Sequence, residues 1–148
     1  MAAPPYTDPH CFAHAESQSA TVVDNNDPQG LGRIKVHFYW GTGGNQQTDW
    51  VRMVQPHSGV GKGFYFIPEI GEEVLVGFEG GNAEKPYIIG AHYNGKQSSG
   101  YATADNSFKV IKTQTGHYLE FEELKGIKLA DKKGNIFHID SSEKSNFY

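Results

Sequence analysis

The chain has a single cysteine, Cys11, which excludes an internal disulfide and a multi-thiolate zinc site. No apolar run approaches the roughly 20 residues needed to cross a bilayer. Alanine is scarce, and no window keeps a helical period. The formal charge is −4, without the Lys and Arg excess that neutralises phosphates, so nucleic acid is not an expected partner. Residues 1–10 carry neither the basic start nor the apolar stretch of a secretory signal. Any export is expected to take another route.

What is present is glycine, 18 residues of it, with Val, Ile and Phe in short runs and aromatics at 13%. Short apolar runs punctuated by turn residues predict an all-β protein. Residues 1–19 hold three prolines and no period, and are expected to be a tail or linker. Ala20–Val23 is the first strand signal. It is stopped by Asp27-Pro28-Gln29-Gly30, where proline presets one backbone angle and glycine accepts positive φ. Arg33–Trp40 alternates, with Ile34, Val36, Phe38 and Trp40 on the inward face. Further strands are predicted at Trp50–Val54, Gly63–Ile67, Glu73–Phe78 and Pro86–Gly90. Their core is expected from Ile34, Val36, Phe38, Val74, Val76, Phe78 and Ile88. Five or six short strands at this spacing suit a small barrel of the OB type over residues 20–95.

Residues 96–106 are polar and predict a linker. From 107 to 148 the pattern changes to short strands opened by glycines: 108–112, 116–122, 126–130 and 134–140. Gly116-x-x-Leu119-Glu120-Phe121 is echoed eighteen residues on by Gly134-x-x-Phe137-His138-Ile139. Such a repeat predicts a quasi-linear β-structure. Val110, Leu119, Phe121, Ile127, Leu129, Phe137 and Ile139 make too small a core for one chain, because isolated ribbons are marginal in water. An oligomer that buries them jointly is the economical expectation.

Several spaced motifs together resemble the VgrG family, the spike proteins of type VI secretion systems, which are similar to the central spike and hub proteins of contractile-tailed phages. They are Asp27-Pro28-x-Gly30-Leu31-Gly32-Arg33; Trp50-Val51-Arg52; Pro68-x-x-Gly71-Glu72-Glu73; Gly80-Gly81; Pro86 to Gly90; and Tyr93-Asn94-Gly95. In the second half, Gly116 to Phe121 and Asp131 to Asn135 continue the likeness. The resemblance implies an OB-fold barrel followed by the start of an intertwined trimeric β-helix. Leu119, Phe121, Leu129, Phe137 and Ile139 would then line the trimer, and Gly126 and Gly134 would form its corners.

The resemblance also implies a homotrimer partnered by a tail-tube (Hcp-like) protein and by spike-tip or effector proteins, with transient contact to a target membrane. It implies assembly in the cytoplasm, then secretion through the apparatus without a signal peptide. Family members usually carry a large N-terminal hub domain, so the chain is expected to be a piece of a longer spike.

Other constellations carry less. His10-Cys11-x-x-His14 lacks a fourth ligand and reads as bystanders. His57-Ser58 with Asp49 lacks a nucleophile elbow, and Gly59 to Gly63 lacks the spacing of a phosphate loop. Glu69, Glu72 and Glu73, and likewise Glu120, Glu122 and Glu123, read as solvated or ion-paired acids rather than a glycosidase pair. No enzyme, cofactor, metal or catalytic residue is expected. The rival reading is an OB-fold module for oligonucleotides or oligosaccharides, with Phe38, Tyr39, Trp40, Trp50, Phe64, Tyr65 and Phe66 as a stacking platform.

Overall fold

A computed structural model describes residues 14–41 and 46–142. Among these the regular elements are ten β-strands and one short 3-10 turn. They divide into two compact units, one running up to Gln97 and the other starting at Ser98.

The first unit is built on a four-stranded antiparallel sheet in the order β2-β1-β5-β6. Its strands are β1 (Gln18–Asp24), β2 (Lys35–Phe38), β5 (Glu73–Phe78) and β6 (Pro86–His92). Between β2 and β5 lies a two-stranded hairpin of β3 (Ser58–Gly59) and β4 (Lys62–Gly63). Alternation along the strands turns one face inward. Ala20, Val22, Ile34, Val36, Val51, Val74, Val76 and Ile88 form the buried core. Phe38, Met53, Ile67 and Phe78 pack around it, half-buried.

Residues 51–53 close this sheet on itself. Ile34 and Val51 exchange backbone hydrogen bonds of 3.0 and 2.8 Å, joining the segment to the β2 side. Two residues on, Met53 bridges Ile88 of β6 in parallel, with Ile88 N–H on Arg52 O at 2.8 Å and Val54 N–H on Ile88 O at 2.9 Å. The strand expected at Trp50–Val54 is thus a short seam between the two edges. It removes the exposed edges that an open sheet would leave. Register shifts at Val22/Asp24 and Leu75/Val76 bend the strands as closure requires.

Two expectations fail here. Gly63–Ile67 is not a strand beyond Gly63, and Phe64, Tyr65 and Phe66 are all exposed. Trp40 does not continue the inward face, because β2 ends at Phe38 and Gly41 N–H closes a turn onto Phe38 O. Trp40 is 66% exposed, stacks on Phe38 at 5.3 Å and donates its indole N–H to Gln18. It covers the rim of the core instead of filling it.

The second unit is a four-stranded antiparallel meander in the order β10-β9-β8-β7. Its strands are β7 (Phe108–Lys112), β8 (Tyr118–Glu122), β9 (Gly126–Ala130) and β10 (Ile136–Asp140). The eighteen-residue repeat is one connector used twice. Thr113 N–H donates to His117 O at 2.8 Å, and Asp131 N–H to Asn135 O at 3.0 Å. In each, the first side chain accepts from the fifth residue's backbone: His117 N–H on Thr113 Oγ1 and Asn135 N–H on Asp131 Oδ1. Gly116 and Gly134 supply the positive φ, 99° and 90°, at the fourth position.

Residues 96–106, expected as a linker, are shared between the two units. Gln97 bonds back to Gly71 O, whereas the Tyr101 ring meets Phe108 and the Lys112 amine.

Candidate functional site

Three features carry the residues singled out by sequence. The first is the turn before β2. Asp27 Oδ1 accepts from Gln29 N–H and Oδ2 from Leu31 N–H, both at 3.0 Å. Arg33 adds a two-pronged pair, Nη2 to Oδ1 at 2.7 Å and Nε to Oδ2 at 2.9 Å. The Asp27 side chain is only 2% exposed. The Arg33 guanidinium, helped by those backbone N–H groups, holds the carboxyl well below the usual carboxylate range. Pro28 sits inside the turn, and Gly30 and Gly32 take φ of 65° and 69°. This cluster shapes the backbone of the turn.

The remaining barrel motifs are similarly architectural. Lys35 lies 4.9 Å from the Trp50 ring centre, a cation–π contact. Buried Pro68 offers its carbonyl to Asn25, and Gly71 N–H reaches Val22 O at 2.9 Å. Gly80 and Gly81 turn the chain after β5 with positive φ, and any side chain at Gly81 would run into the His14 ring. Pro86 opens β6, where Gly90 pairs with Leu75. Glu73 accepts from Asn94, the residue before Gly95. Its carboxyl is pushed down by that bond first, then by Ser19 and His92.

The second feature is an open groove of about 1180 Å³ in the first unit, walled by Leu31, Met53, Val54, Phe64, Tyr65 and Tyr87. The expected stacking platform is therefore divided. Phe64 and Tyr65 reach the groove, while Trp40 lies on Phe38 and Trp50 under Lys35. Alternation accounts for only part of the exposure of the aromatic trio, since three consecutive aromatics in a strand cannot all face inward but one or two of them would.

The third feature is one face of the second unit. Cross-strand register aligns Lys109, Phe121, Ile127 and Ile139 in one row, and Ile111, Leu119, Leu129 and Phe137 in the next. Seven of these eight side chains are apolar. Ile111 is 46% exposed, Leu129 55% and Phe137 52%. Val110, expected among the apolar set, falls on the opposite face in a row with Glu120, Lys128 and His138. There Lys128 Nζ reaches the buried Glu120 carboxylate at 3.1 Å, and that partner raises the amine's affinity for its proton. Gly126 takes φ of 114°, where a side chain would strike Ile139 O; Gly134 faces open space.

Among the described residues, no three His, Cys, Asp or Glu side chains are grouped to hold a metal ion. His10 and Cys11 lie outside those residues. His57 and Ser58 lead into the β3–β4 hairpin, which is set by the Ser58–Gly63 and Gly59–Lys62 pairs.

The family model of the type VI secretion system/phage-baseplate injector OB domain matches residues 18–93, from the first residue of β1 to just past β6. The chain belongs to this family. Its barrel is an injector OB domain, and its similarity to spike proteins extends beyond the barrel. The actin cross-linking toxin VgrG1 of Vibrio cholerae is 36% identical over 111 residues, 72% of this chain and 10% of that protein. The type VI secretion system spike protein VgrG3 of Vibrio cholerae is 35% identical over 116 residues, 71% of this chain and 11% of that protein. VgrG1a of Pseudomonas aeruginosa, another such spike protein, is 34% identical over 110 residues, 70% of this chain and 17% of that protein. The chain thus spans a small fraction of these relatives. Among the described residues no helix is long and apolar enough to cross a membrane.

Proposed function

We propose that this chain is a structural spike component of a contractile injection apparatus, in which the OB barrel carries the start of a trimeric β-helix. The observation behind this reading is the apolar face of the second unit. Two adjacent rows of large side chains face outward on a four-stranded sheet. Exposed apolar patches of this kind mark association surfaces, and each such side chain gains about 1.5–3 kcal/mol on full burial. Three copies that turn these faces toward a common axis would bury them together. The glycine-opened connectors would form the corners.

The mechanism is mechanical. A rigid, narrow assembly is driven outward by contraction and meets the target membrane briefly. The barrel links hub to needle, a tail-tube (Hcp-like) protein stands behind, and a tip or effector protein rides ahead. The chain assembles in the cytoplasm and leaves through the apparatus. This reading assigns it no catalytic step: Asp27 serves its turn and pairs with Arg33, and Glu120 pairs with Lys128.

The deciding experiment is the solution mass of the purified chain, by light scattering over a range of concentrations. A mass that approaches three formula masses supports the reading. A concentration-independent monomer removes it.

A further inference from the structure

Residues 94–97 close on themselves through Asn94 N–H on Gln97 O at 3.1 Å and Gln97 N–H on Asn94 O at 3.2 Å, and the Asn94 side-chain amide adds further bonds. Asn94 Oδ1 accepts from the backbone N–H groups of Lys96 and Gln97, both at 2.9 Å. Its Nδ2 donates to Glu73 Oε2 at 2.8 Å and stands 3.4 Å from Gln97 Oε1. Gln97 Nε2 then reaches Gly71 O at 3.1 Å. The segment 94–97 is thereby held to the start of β5 through two amide side chains.

The residue after this amide is Gly95, and the fold does not ask for glycine there. Gly95 is absent from the positive-φ glycines, and a Cβ at this position would meet nothing within 4 Å. What glycine supplies is an unhindered peptide nitrogen beside an asparagine side chain. Asn94 is the only asparagine in the sequence followed by glycine. The turn also folds the Asn94 side-chain carbonyl back over the following backbone. The two N–H bonds to Oδ1 draw electrons from Cγ and make it a better electrophile.

We propose that Asn94 is a deamidation site whose conversion unties residues 94–97 from β5. The peptide nitrogen of Gly95 attacks Asn94 Cγ, and a C–N bond forms as the Cγ–Nδ2 bond breaks. The peptide proton leaves with the amine as ammonia, and a five-membered succinimide remains. Water opens either imide C–N bond, giving aspartate or isoaspartate. Both products replace a donor by a carboxylate opposite Glu73, and like charges at hydrogen-bond distance repel. Isoaspartate also inserts a methylene into the backbone and displaces the Lys96 and Gln97 N–H groups from their acceptor.

The test ages the full chain in warm, mildly alkaline buffer and reads each asparagine by peptide mass spectrometry. Asn94 is expected to convert first, and Gly95→Ala, which the open space accommodates, is expected to stop it. Asn94→Asp, the product made directly, should speed hydrogen exchange at Lys96 and Gln97 and lower the melting midpoint. Adding Glu73→Gln to Asn94→Asp reverses donor and acceptor and should restore both. The proposal is overturned if Asn94 survives while other asparagines convert, or if Gly95→Ala leaves its rate unchanged. It is equally overturned if Asn94→Asp keeps wild-type protection, or if the paired variant brings no recovery.

Discussion

Asp27 grips Arg33 with both carboxylate oxygens, at 2.7 and 2.9 Å, while the same carboxylate caps the N–H groups of the turn between them. The folded acid therefore loses its proton far more readily than the unfolded one, which titrates at about 3.9. A depressed folded pKa contributes stability that is present above the unfolded pKa and lost as pH falls below it. Glu73 and Asp131 are displaced in the same direction. The melting midpoint is expected to stay level from about pH 7 to about pH 5, then to fall steadily in stronger acid. Asp27→Asn should lower the neutral-pH midpoint by several degrees and flatten the acid limb. Calorimetry across this range checks both, and an unchanged acid limb in the variant would contradict the assignment.

Val36 offers a sharper test of the barrel. It is fully buried, with Ala20, Val22 and Val74 in the same core. Val36→Asp places a charge there with no partner and is expected to unfold the first unit, a loss of more than about 4 kcal/mol. Loss of the cooperative melting transition is the readout. Trp40→Ala, at the exposed rim, should cost far less.

The barrel core was legible where alternation and burial agree. Ile34, Val36, Val74, Val76 and Ile88 are fully buried, as their spacing implies. Phe38 and Phe78 are half-buried, because they stack on each other at 6.2 Å near the barrel's rim. Ala20, Val22 and Val51 were missed as core. The first two sit in a short run whose partners are set by long-range pairing, and Val51 belongs to a seam that makes single bridges. Trp40 and the 64–66 aromatics show the limit of composition, since strand propensity marks them without saying where pairing stops. The side-chain tie from Asn94 to Glu73 spans 21 residues and leaves no local pattern.

The two spike glycines, alike in sequence, are unequal in space. At Gly126 an added Cβ would collide with the Ile139 carbonyl oxygen, whereas at Gly134 it meets open space. Both carry positive φ. Gly134→Ala is expected to cost only the backbone strain of about 1–2 kcal/mol. Gly126→Ala must in addition separate β9 from β10, and should unpair those strands. Hydrogen exchange of Ile127 and Ile139 distinguishes the two: protection is lost in Gly126→Ala and largely kept in Gly134→Ala. Equal effects would mean that the local collision does not decide.

Assembly rests on the apolar rows of the second unit, so it should respond to a carboxylate placed there and ignore a polar group placed behind. Leu129 stands in the middle of one row, paired on either side with Leu119 and Phe137. Leu129→Glu leaves the strand's backbone pairing intact and would force a carboxylate into any joint core, at a cost of several kcal/mol per copy. Val110 points to the opposite face, beside Glu120. Val110→Thr is therefore a matched control for folding and surface polarity. The intact chain and Val110→Thr are expected to approach three formula masses as concentration rises, while Leu129→Glu stays monomeric with an unaltered barrel transition. A chain ending at Gln97 keeps the entire barrel core and should be a folded monomer at every concentration. If Leu129→Glu associates as fully as the parent, the apolar face is not the contact. If the chain ending at Gln97 associates too, the barrel itself carries the assembly, and the trimeric helix loses its support.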